Sequence, residues 1–244
     1  YLTANKLMPR LQSAYKKGHS TETDLLRIWS DMLMAADEKV TLLGLLDMSV
    51  AFDCVDHSIL LDRLQAAFGI EGAALEWIRS FLTGRTQQVA YNDGRSTTSA
   101  VLFGVPQGSV PVLGPLLYVL YTASLFNVIA QHRVDVHQYA DDIQLYLSIP
   151  LSVPPPPNEE EDEAAAVAAA DRLSACIVDV EAWLKVSRLR LNPDKTQFMW
   201  LGSAQQRAKV EHVDIPLLSA RFHGVDTARN LGVVFDGQLS MSEQ

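Results

Sequence analysis

Two adjacent aspartates, Asp141 and Asp142, lie in the stretch HQYADDIQLYL between two runs of alternating strand-forming residues. A turn explains one carboxylate, because Asp tolerates turn geometry and its side chain bonds to nearby backbone groups. A turn does not explain two like charges on neighbouring residues, which repel each other unless a cation offsets them. The pair therefore predicts a cation site at the tip of a hairpin.

A third acid, Asp47, follows residues 40–46, which are apolar or small on both faces, as in a central strand covered on both sides. If this strand neighbours the hairpin, as rules of short connections allow, the three acids converge. Oxygen ligands without His or Cys favour Mg²⁺, with Mn²⁺ as the alternative ion. Two ions about 4 Å apart would activate an attacking hydroxyl and stabilise a leaving pyrophosphate, which implies a nucleoside triphosphate substrate.

Helices around these acids are predicted from capping residues and apolar spacing. Residues 20–36 open with Ser and Thr ahead of Glu and then place apolar residues at helical spacing. Asp56 and then Glu71 or Gly72 precede two further helices, the second of which should stop at Gly84. A longer helix after residue 163 is predicted from the apolar residues on one of its faces, which are Leu173, Cys176, Ile177, Val180 and Leu184.

Strand signals alternate with these helices. The stretch QQVAYNDGRSTTSAV is typical of a hairpin, and LNPDKTQFMWLGS indicates a turn followed by a strand. The predicted order of the core is strand, helices, strand, strand, helix, strand. A largely antiparallel sheet with helices on one face belongs to the α+β class.

Two segments have unusual composition. Residues 113–130 are uncharged and about as long as a minimal membrane span, but Gly, Pro, Ser and Asn within them favour a buried helix against a sheet, so no membrane partner is expected. Residues 150–163 are rich in proline and acids, and we expect an extended, mobile insertion that buries no core.

Bulk properties exclude several classes of protein. The chain has 244 residues, of which 48% are hydrophobic, enough for a sizeable core. The formal net charge of −9 argues against nucleic-acid binding by overall charge, so such binding would need local basic patches or metal ions. Two cysteines without a CxxC spacing indicate neither zinc nor a disulfide framework, and favour an intracellular protein. The N-terminus, which lacks Met and a signal core, is typical of a chain cut from a longer one.

Three motifs together resemble the palm motifs of reverse transcriptases, in the same order: LLDMSVAFD at 45–53, GVPQGS at 104–109 and YADD at 139–142. Four flanking stretches are similar to the polymerase of jockey-like LINE elements, which are non-LTR retrotransposons. These stretches are QSAYKKGHSTETDLL, FDCVDHSILLDRL, LRLNPDKTQFMWLGS and ARNLGVVFDGQLS. The resemblance implies partial fingers over 1–40, a palm over 41–203, and a primer-grip-like hairpin with the start of a thumb over 204–244.

The resemblance also implies roles for the acids. Asp47 and Asp141 would bind both metal ions, Asp142 would support them, and the backbone carbonyl of Met48 would be a further ligand. Phe52 would lie under the sugar of the incoming nucleotide, where its ring would clash with a 2′-hydroxyl, although a plain core role is the alternative.

Further contacts to the nucleotide follow from the same resemblance. Gln107 and Gly108 would approach it through a loop before a helix. Lys16 stands where the family usually has Arg and would meet the triphosphate. Lys195 would donate a proton to pyrophosphate, and an ordinary surface position is the alternative for both lysines.

One departure from the family pattern lies near the nucleotide site. About two extra residues stand within VPV at 110–112, where the family runs more directly into LGPLL. The expected partners are an RNA template, a DNA primer and deoxynucleoside triphosphates, and nuclear action follows only from the resemblance. A second hypothesis is an inactive remnant that lacks most of the fingers and thumb and any endonuclease or RNase H region, and that binds nucleic acid weakly or not at all. A third is a polymerase with a DNA template or an intron-encoded maturase.

Overall fold

The computed structural model describes residues 1–36, 39–106, 113–151, 159–217 and 220–240. The seven helices of this part are α1 (Thr21–Ala36), α2 (His57–Phe68), α3 (Gly72–Leu82), α4 (Leu113–Thr122), α5 (Leu125–Ala130), α6 (Glu159–Val186) and α7 (Ala204–Ala208). The strands are β1 (Lys39–Leu46), β2 (Thr86–Gln87), β3 (Ala90–Tyr91), β4 (Gly94–Arg95), β5 (Ser99–Ala100), β6 (Asp135–Tyr139), β7 (Asp142–Pro150), β8 (Gln197–Leu201), β9 (Ile215–Leu217), β10 (Ala220–Phe222), β11 (Thr227–Asn230) and β12 (Val233–Asp236).

The chain forms two compact units. The first unit consists of Tyr1–Pro9, Val50–Ser124 and Lys185–Leu189, and the second of Arg10–Ser49, Leu125–Leu184 and Arg190–Gln244. The division into fingers, palm and thumb stays a prediction.

A four-stranded antiparallel sheet organises the second unit, in the order β6-β7-β1-β8. The central strand β1 pairs with β7 along its whole length, from Lys39 opposite Pro150 to Leu46 opposite Ile143. On its other side β1 pairs with β8. Seven of the eight residues of β1 are buried, as its apolar run predicts for a central strand.

Helices cover both faces of this sheet. On one face, Leu43 belongs to a buried cluster with Ile28 of α1. Gly44 points to the opposite face, where an added Cβ would lie 3.1 Å from the ring of Phe198 and 3.6 Å from Leu173 of α6. The α+β prediction is confirmed, but the placement of helices on one face is wrong, because both faces of β1 are apolar and each needs cover.

The first unit is built around α2. Asp56 caps this helix as predicted, since its carboxylate accepts hydrogen bonds from the backbone N–H groups of Ser58 and Ile59 at 2.9 and 3.1 Å. The helix packs against α3 and α4. The predicted hairpin in this unit is present, with β3 paired to β4 across Asn92, whose φ is 50°.

The apolar stretch 113–130 forms two helices, α4 and α5, where one was predicted. By length and composition the stretch could cross a membrane, and half of it is buried within the protein. α5 contacts β6 of the sheet, as expected for a buried segment, whereas α4 packs on the helix α2. The residues on both sides of positions 123–124 are apolar, so the sequence pattern does not predict the break between the two helices.

The prediction of an extended segment over 150–163 is wrong at its acidic end. α6 begins at Glu159, and its first turn carries four acids. Acidic side chains stabilise the first turn of a helix through its dipole, which explains why this run is helical. Asp162 is buried and accepts a hydrogen bond from the Lys209 ammonium at 2.8 Å. Residues 152–158 lie outside the described part of the chain.

Candidate active site

The acids predicted from the sequence meet at one edge of the four-stranded sheet. Asp47 directly follows β1, and Asp142 is the first residue of β7. Because Leu46 is paired with Ile143 in the antiparallel register, the chain leaves β1 beside the start of β7. Asp141 occupies the turn between β6 and β7, since Tyr139 pairs with Asp142. The structure therefore brings all three acids to the same edge.

The backbone of the turn is held by two glutamine side chains. Ala140, the residue before Asp141, has φ 56°. Its carbonyl accepts hydrogen bonds from Nε2 of Gln138 at 2.8 Å and from Nε2 of Gln12 at 3.1 Å. Its N–H donates to Oε1 of Gln12 at 2.9 Å. Both backbone groups of this buried residue are thus paired.

Asp47 is held by the turn that precedes β8. The N–H of Asn192 donates to the backbone carbonyl of Asp47 at 2.8 Å, and Nδ2 of Asn192 donates to its Oδ2 at 3.2 Å. The ammonium of Lys195 lies 3.3 Å from the same carboxylate oxygen. The Lys195 side chain is 66% exposed, so this ion pair faces solvent. A cation is therefore already placed against the first acid.

Asp47 and Asp142 line one cavity of about 300 Å³. Lys195, Arg229 and Asn230 also line it. Deeper in the wall, Nε2 of buried Gln144 donates to Oδ1 of Asn230 at 3.1 Å. The remaining amide atoms, Oε1 of Gln144 and Nδ2 of Asn230, are buried and have no partner within the described part of the chain. The cavity is therefore polar and carries both acids and cations.

The electrostatics of the three acids are coupled. Burial, followed by the charges of Asp141 and Asp47, raises the pKa of Asp142 to about 6. Burial also raises the pKa of Asp141, with a further contribution from Asp47 and an opposing one from Lys195. A fourth acid, Asp24 of α1, acts on Asp142 in the same direction, and burial raises its own pKa. Negative charge at this edge is therefore costly without a nearby cation.

The donor chemistry fits a hard divalent cation, because carboxylate oxygens are the ligands that Mg²⁺ prefers and the acids repel one another. In the described ranges, however, no three His, Cys, Asp or Glu side chains are grouped closely enough to hold a metal ion. A shared ion would therefore have to draw the carboxylates together.

The other predicted site residues are distributed over both units. Met48 is buried and forms an isolated antiparallel bridge with Leu191. Phe52 belongs to the first unit, where it is 8% exposed and stacks on Tyr118 with ring centroids 4.1 Å apart. This stacking matches the core alternative, and its role under a sugar stays a prediction. Gln107 and Gly108, and the extra residues at 110–112, lie outside the described residues.

Lys16 lies in the second unit among other cations. Its Nζ donates to the Arg10 carbonyl at 3.5 Å. Partial burial, followed by the charges of Arg27 and Arg10, lowers its pKa. Like charges repel each other, so a phosphate bound beside Lys16 would reduce this repulsion. Its contact with a triphosphate stays a prediction.

Sequence reasoning missed several residues of this edge. Gln12 and Asn192 stand in the sequence only as members of longer motifs. In the structure, Gln12 binds the backbone of the residue before Asp141, and Asn192 binds the backbone of Asp47. Tyr15 is another, because the charge of Asp141 contributes to the raised pKa of its phenol. No spacing in the sequence joins Gln12 to a residue 128 positions away. Their positions within family-like stretches were the only available signal.

The family model and the curated relatives that match this chain share one description. A family model described as reverse transcriptase (RNA-dependent DNA polymerase) matches residues 1–235. A probable RNA-directed DNA polymerase from transposon BS of Drosophila melanogaster is 32% identical over 80% of this chain and 20% of its own length. Another, from transposon X-element of the same species, is 28% identical over 99% of this chain and 25% of its own length. The RNA-directed DNA polymerase from mobile element jockey of Drosophila funebris is 33% identical over 57% of this chain and 15% of its own length.

Solved structures show the same fold. Apo telomerase from Candida tropicalis, truncated from its C-terminal domain, is similar with a TM-score of 0.57 and 13% identity, over 96% of this chain and 40% of that one. Telomerase from Candida albicans, solved with a fragment of telomeric RNA, is similar with a TM-score of 0.51 and 14% identity, over 95% of this chain and 36% of that one. The prediction of a polymerase palm fold is confirmed. The chain spans a quarter or less of the curated relatives it matches.

Proposed function

This chain belongs to the reverse transcriptase (RNA-dependent DNA polymerase) family, and we propose that it extends the 3′-hydroxyl of a DNA primer along an RNA template. The substrates in this proposal are deoxynucleoside triphosphates, and the source is a non-LTR retrotransposon of the jockey type. Three acids from distant parts of the sequence meet at one sheet edge, and two of them line a polar cavity; this arrangement supports the proposal.

In the proposed reaction, Asp47, Asp141 and Asp142 would hold two Mg²⁺ ions, and the Met48 carbonyl would be a further ligand. When bound, the ions would activate the primer hydroxyl and stabilise the leaving pyrophosphate. The chain itself orients the acids: Asn192 fixes Asp47 from one side, and the β6-β7 turn fixes Asp141 and Asp142. Lys195 lies beside Asp47, where it offsets negative charge, and in the proposed reaction it would give a proton to pyrophosphate.

Binding of the substrates is proposed from the charges around the acids. Lys16, with Arg10 and Arg27 close by, would meet the triphosphate. Gln107 and Gly108 would contact the nucleotide, and Phe52 would exclude a 2′-hydroxyl, as the family resemblance implies. The RNA template is proposed from the family model, whose description is an RNA-dependent DNA polymerase.

A primer-extension assay tests the proposal. The chain is incubated with an RNA template annealed to a DNA primer, deoxynucleotides and Mg²⁺, and product length is read on a gel. We expect Mg²⁺-dependent extension by the wild type and by Asp62→Ala, which changes an exposed acid of α2. Asp141→Ala should lose at least about 10³-fold in rate, because one of the groups that hold the ions is gone.

The competing hypothesis is an inactive remnant of such an element. The net charge of −9 and the extra residues at 110–112 favour it. Absence of Mg²⁺-dependent product from the wild type would leave this hypothesis standing. Equal extension on a DNA template would favour the third hypothesis of a different template preference.

A further inference from the structure

Gln12 is a buried polar residue whose side-chain hydrogen bonds all go to backbone groups. Its relative exposure is 1%. Oε1 accepts from the N–H groups of Ala14 and Ala140, both at 2.9 Å, and Nε2 donates to the Ala140 carbonyl at 3.1 Å. One amide side chain thus pairs with both the N–H and the C=O of Ala140, as a neighbouring strand would.

The segment that carries Gln12 also lies along β6. Gln12 and Gln138 form an isolated parallel bridge. The N–H of Ser13 donates to the Gln138 carbonyl at 2.8 Å, and the N–H of Gln138 donates to the Leu11 carbonyl at 2.9 Å. The backbone therefore holds Gln12 in place before its side chain reaches the turn.

Ala140 directly precedes Asp141 in the turn between β6 and β7. It is the first of the two residues between β6 and β7, and its φ of 56° is a conformation that residues with a Cβ rarely adopt. A position of this kind persists only when its surroundings determine it. The surroundings here are Gln12 and Gln138, which are both buried.

We propose that Gln12 is a positioning residue for the polymerase site, because it fixes the backbone of Ala140 and thereby the direction of the Asp141 carboxylate. The inference rests on the proposed function. Gln12 does not touch the substrate or the ions; it acts through the turn. A purely structural role would instead be limited to joining the N-terminal segment to β6, which the backbone hydrogen bonds of Ser13 and Gln138 already do.

The test compares Gln12→Met with Gln131→Met. Met has nearly the length of Gln and lacks both amide groups, and Gln131 is an exposed glutamine in the turn after α5. Five quantities are measured: kcat and KM in primer extension, the Kd for Mn²⁺ from the electron paramagnetic resonance of the free ion, the Kd for the primer–template duplex, and Tm. Mn²⁺ serves as the probe because it reports binding without turnover.

We expect Gln12→Met to lower kcat by about 10- to 100-fold and to weaken Mn²⁺ binding by about tenfold, the usual effect of losing a partner that orients metal ligands. KM and the duplex Kd should stay within about threefold of wild type, because the nucleic-acid contacts are intact. Gln131→Met should match wild type in all five quantities. If Gln12→Met does not fold, Gln12→Glu replaces it, since this variant keeps an acceptor for the Ala140 N–H but loses the amide donor.

Other results overturn the inference. A Gln12 variant with wild-type kcat and Mn²⁺ affinity, or with a lower Tm alone, would show that Gln12 only stabilises the fold. If the wild type does not extend primers, the proposed function fails separately. The Mn²⁺ titration then decides: weaker binding by the Gln12 variant than by wild type supports the inference, and equal or absent binding by both removes it.

Discussion

Asp142 carries a cost in folding free energy that depends on pH. Its pKa in the folded chain is about 6, above the ordinary value of 3.8. The unfolded chain therefore loses the proton first as pH rises, so the cost is absent below about pH 4, grows between 4 and 6, and is complete above 6. Without divalent ions, Asp142→Asn should raise the free energy of unfolding at pH 7 by roughly 1 to 2 kcal/mol, after allowance for partial exposure.

Urea titrations in EDTA at pH 7 and pH 4 measure this effect. His137→Phe is the control, because the contribution of His137 to stability changes with pH in the opposite direction. Burial lowers the pKa of His137 to about 4, so the wild type loses stability from this group as pH falls from 6.5 towards 4. His137→Phe should lose less stability than the wild type over that interval. An equal gain from Asp142→Asn at both pH values would contradict the assigned pKa.

The ammonium of Lys195 lies beside Asp47 but is mostly exposed, so its effects on stability and on catalysis can be predicted separately. Lys195→Met should change the free energy of unfolding by less than about 1 kcal/mol, the usual limit for an exposed ion pair. As a proton donor to pyrophosphate, Lys195 should contribute about 10²-fold to kcat. Lys39→Met, at the far end of β1, serves as the control. An unchanged kcat would leave Lys195 as an ordinary surface partner of Asp47.

At the residue scale, the sequence predicts which acids form the site better than it predicts the residues that hold them in place. Adjacent charges such as Asp141 and Asp142 are improbable without a cation, so their types alone are informative. Gln12 is an ordinary glutamine in sequence, and only tertiary structure buries it against Ala140. Long-range hydrogen bonds of single side chains leave no periodic signal.

At the scale of elements, α4 depends on close packing of its first turn. A Cβ on Gly114 would collide with the backbone carbonyl oxygen of Pro106. Gly114→Ala should therefore lower the free energy of unfolding by about 1 to 3 kcal/mol, the usual cost of overpacking. Gly94→Ala is the matched control, since its Cβ would meet nothing closer than 3.5 Å. Thermal and urea unfolding measure both variants, and equal stability of the two would refute the close approach.

Elements with local signals are predictable, and those fixed by neighbours are not. β1, the cap at Asp56 and the β6-β7 hairpin follow from apolar runs and turn residues. The break between α4 and α5 and the start of α6 at Glu159 do not follow in this way. An apolar stretch suits one helix or two, and an acidic run suits either a mobile segment or the first turn of a helix, so composition alone does not decide either case.

At the scale of the whole molecule, the net charge of −9 opposes binding to a polyanion. The proposed phosphate contacts would then depend on local cations such as Lys16. Lys16→Glu should weaken duplex binding. It should also reduce the magnitude of the slope of log K against log salt by about 1, because each phosphate contact contributes about 0.9 to this magnitude. Lys39→Glu makes the same change of charge away from Lys16 and should leave the slope unchanged. Fluorescence anisotropy over a series of KCl concentrations gives both slopes.

The family and the α+β class were predictable from three ordered motifs and the order of elements. The division into two compact units was not, because the first unit collects Tyr1–Pro9, Val50–Ser124 and Lys185–Leu189 from distant parts of the chain. Such assembly depends on contacts between segments, which one sequence does not reveal.

The pairing of β1 with β7 along all eight residues of β1 limits where insertions and deletions are tolerated in such a gene. Losing or gaining a single codon within either strand would exchange the two faces of everything beyond it, and the acid at its end would turn towards the wrong side. Changes of length are tolerable only in the connections.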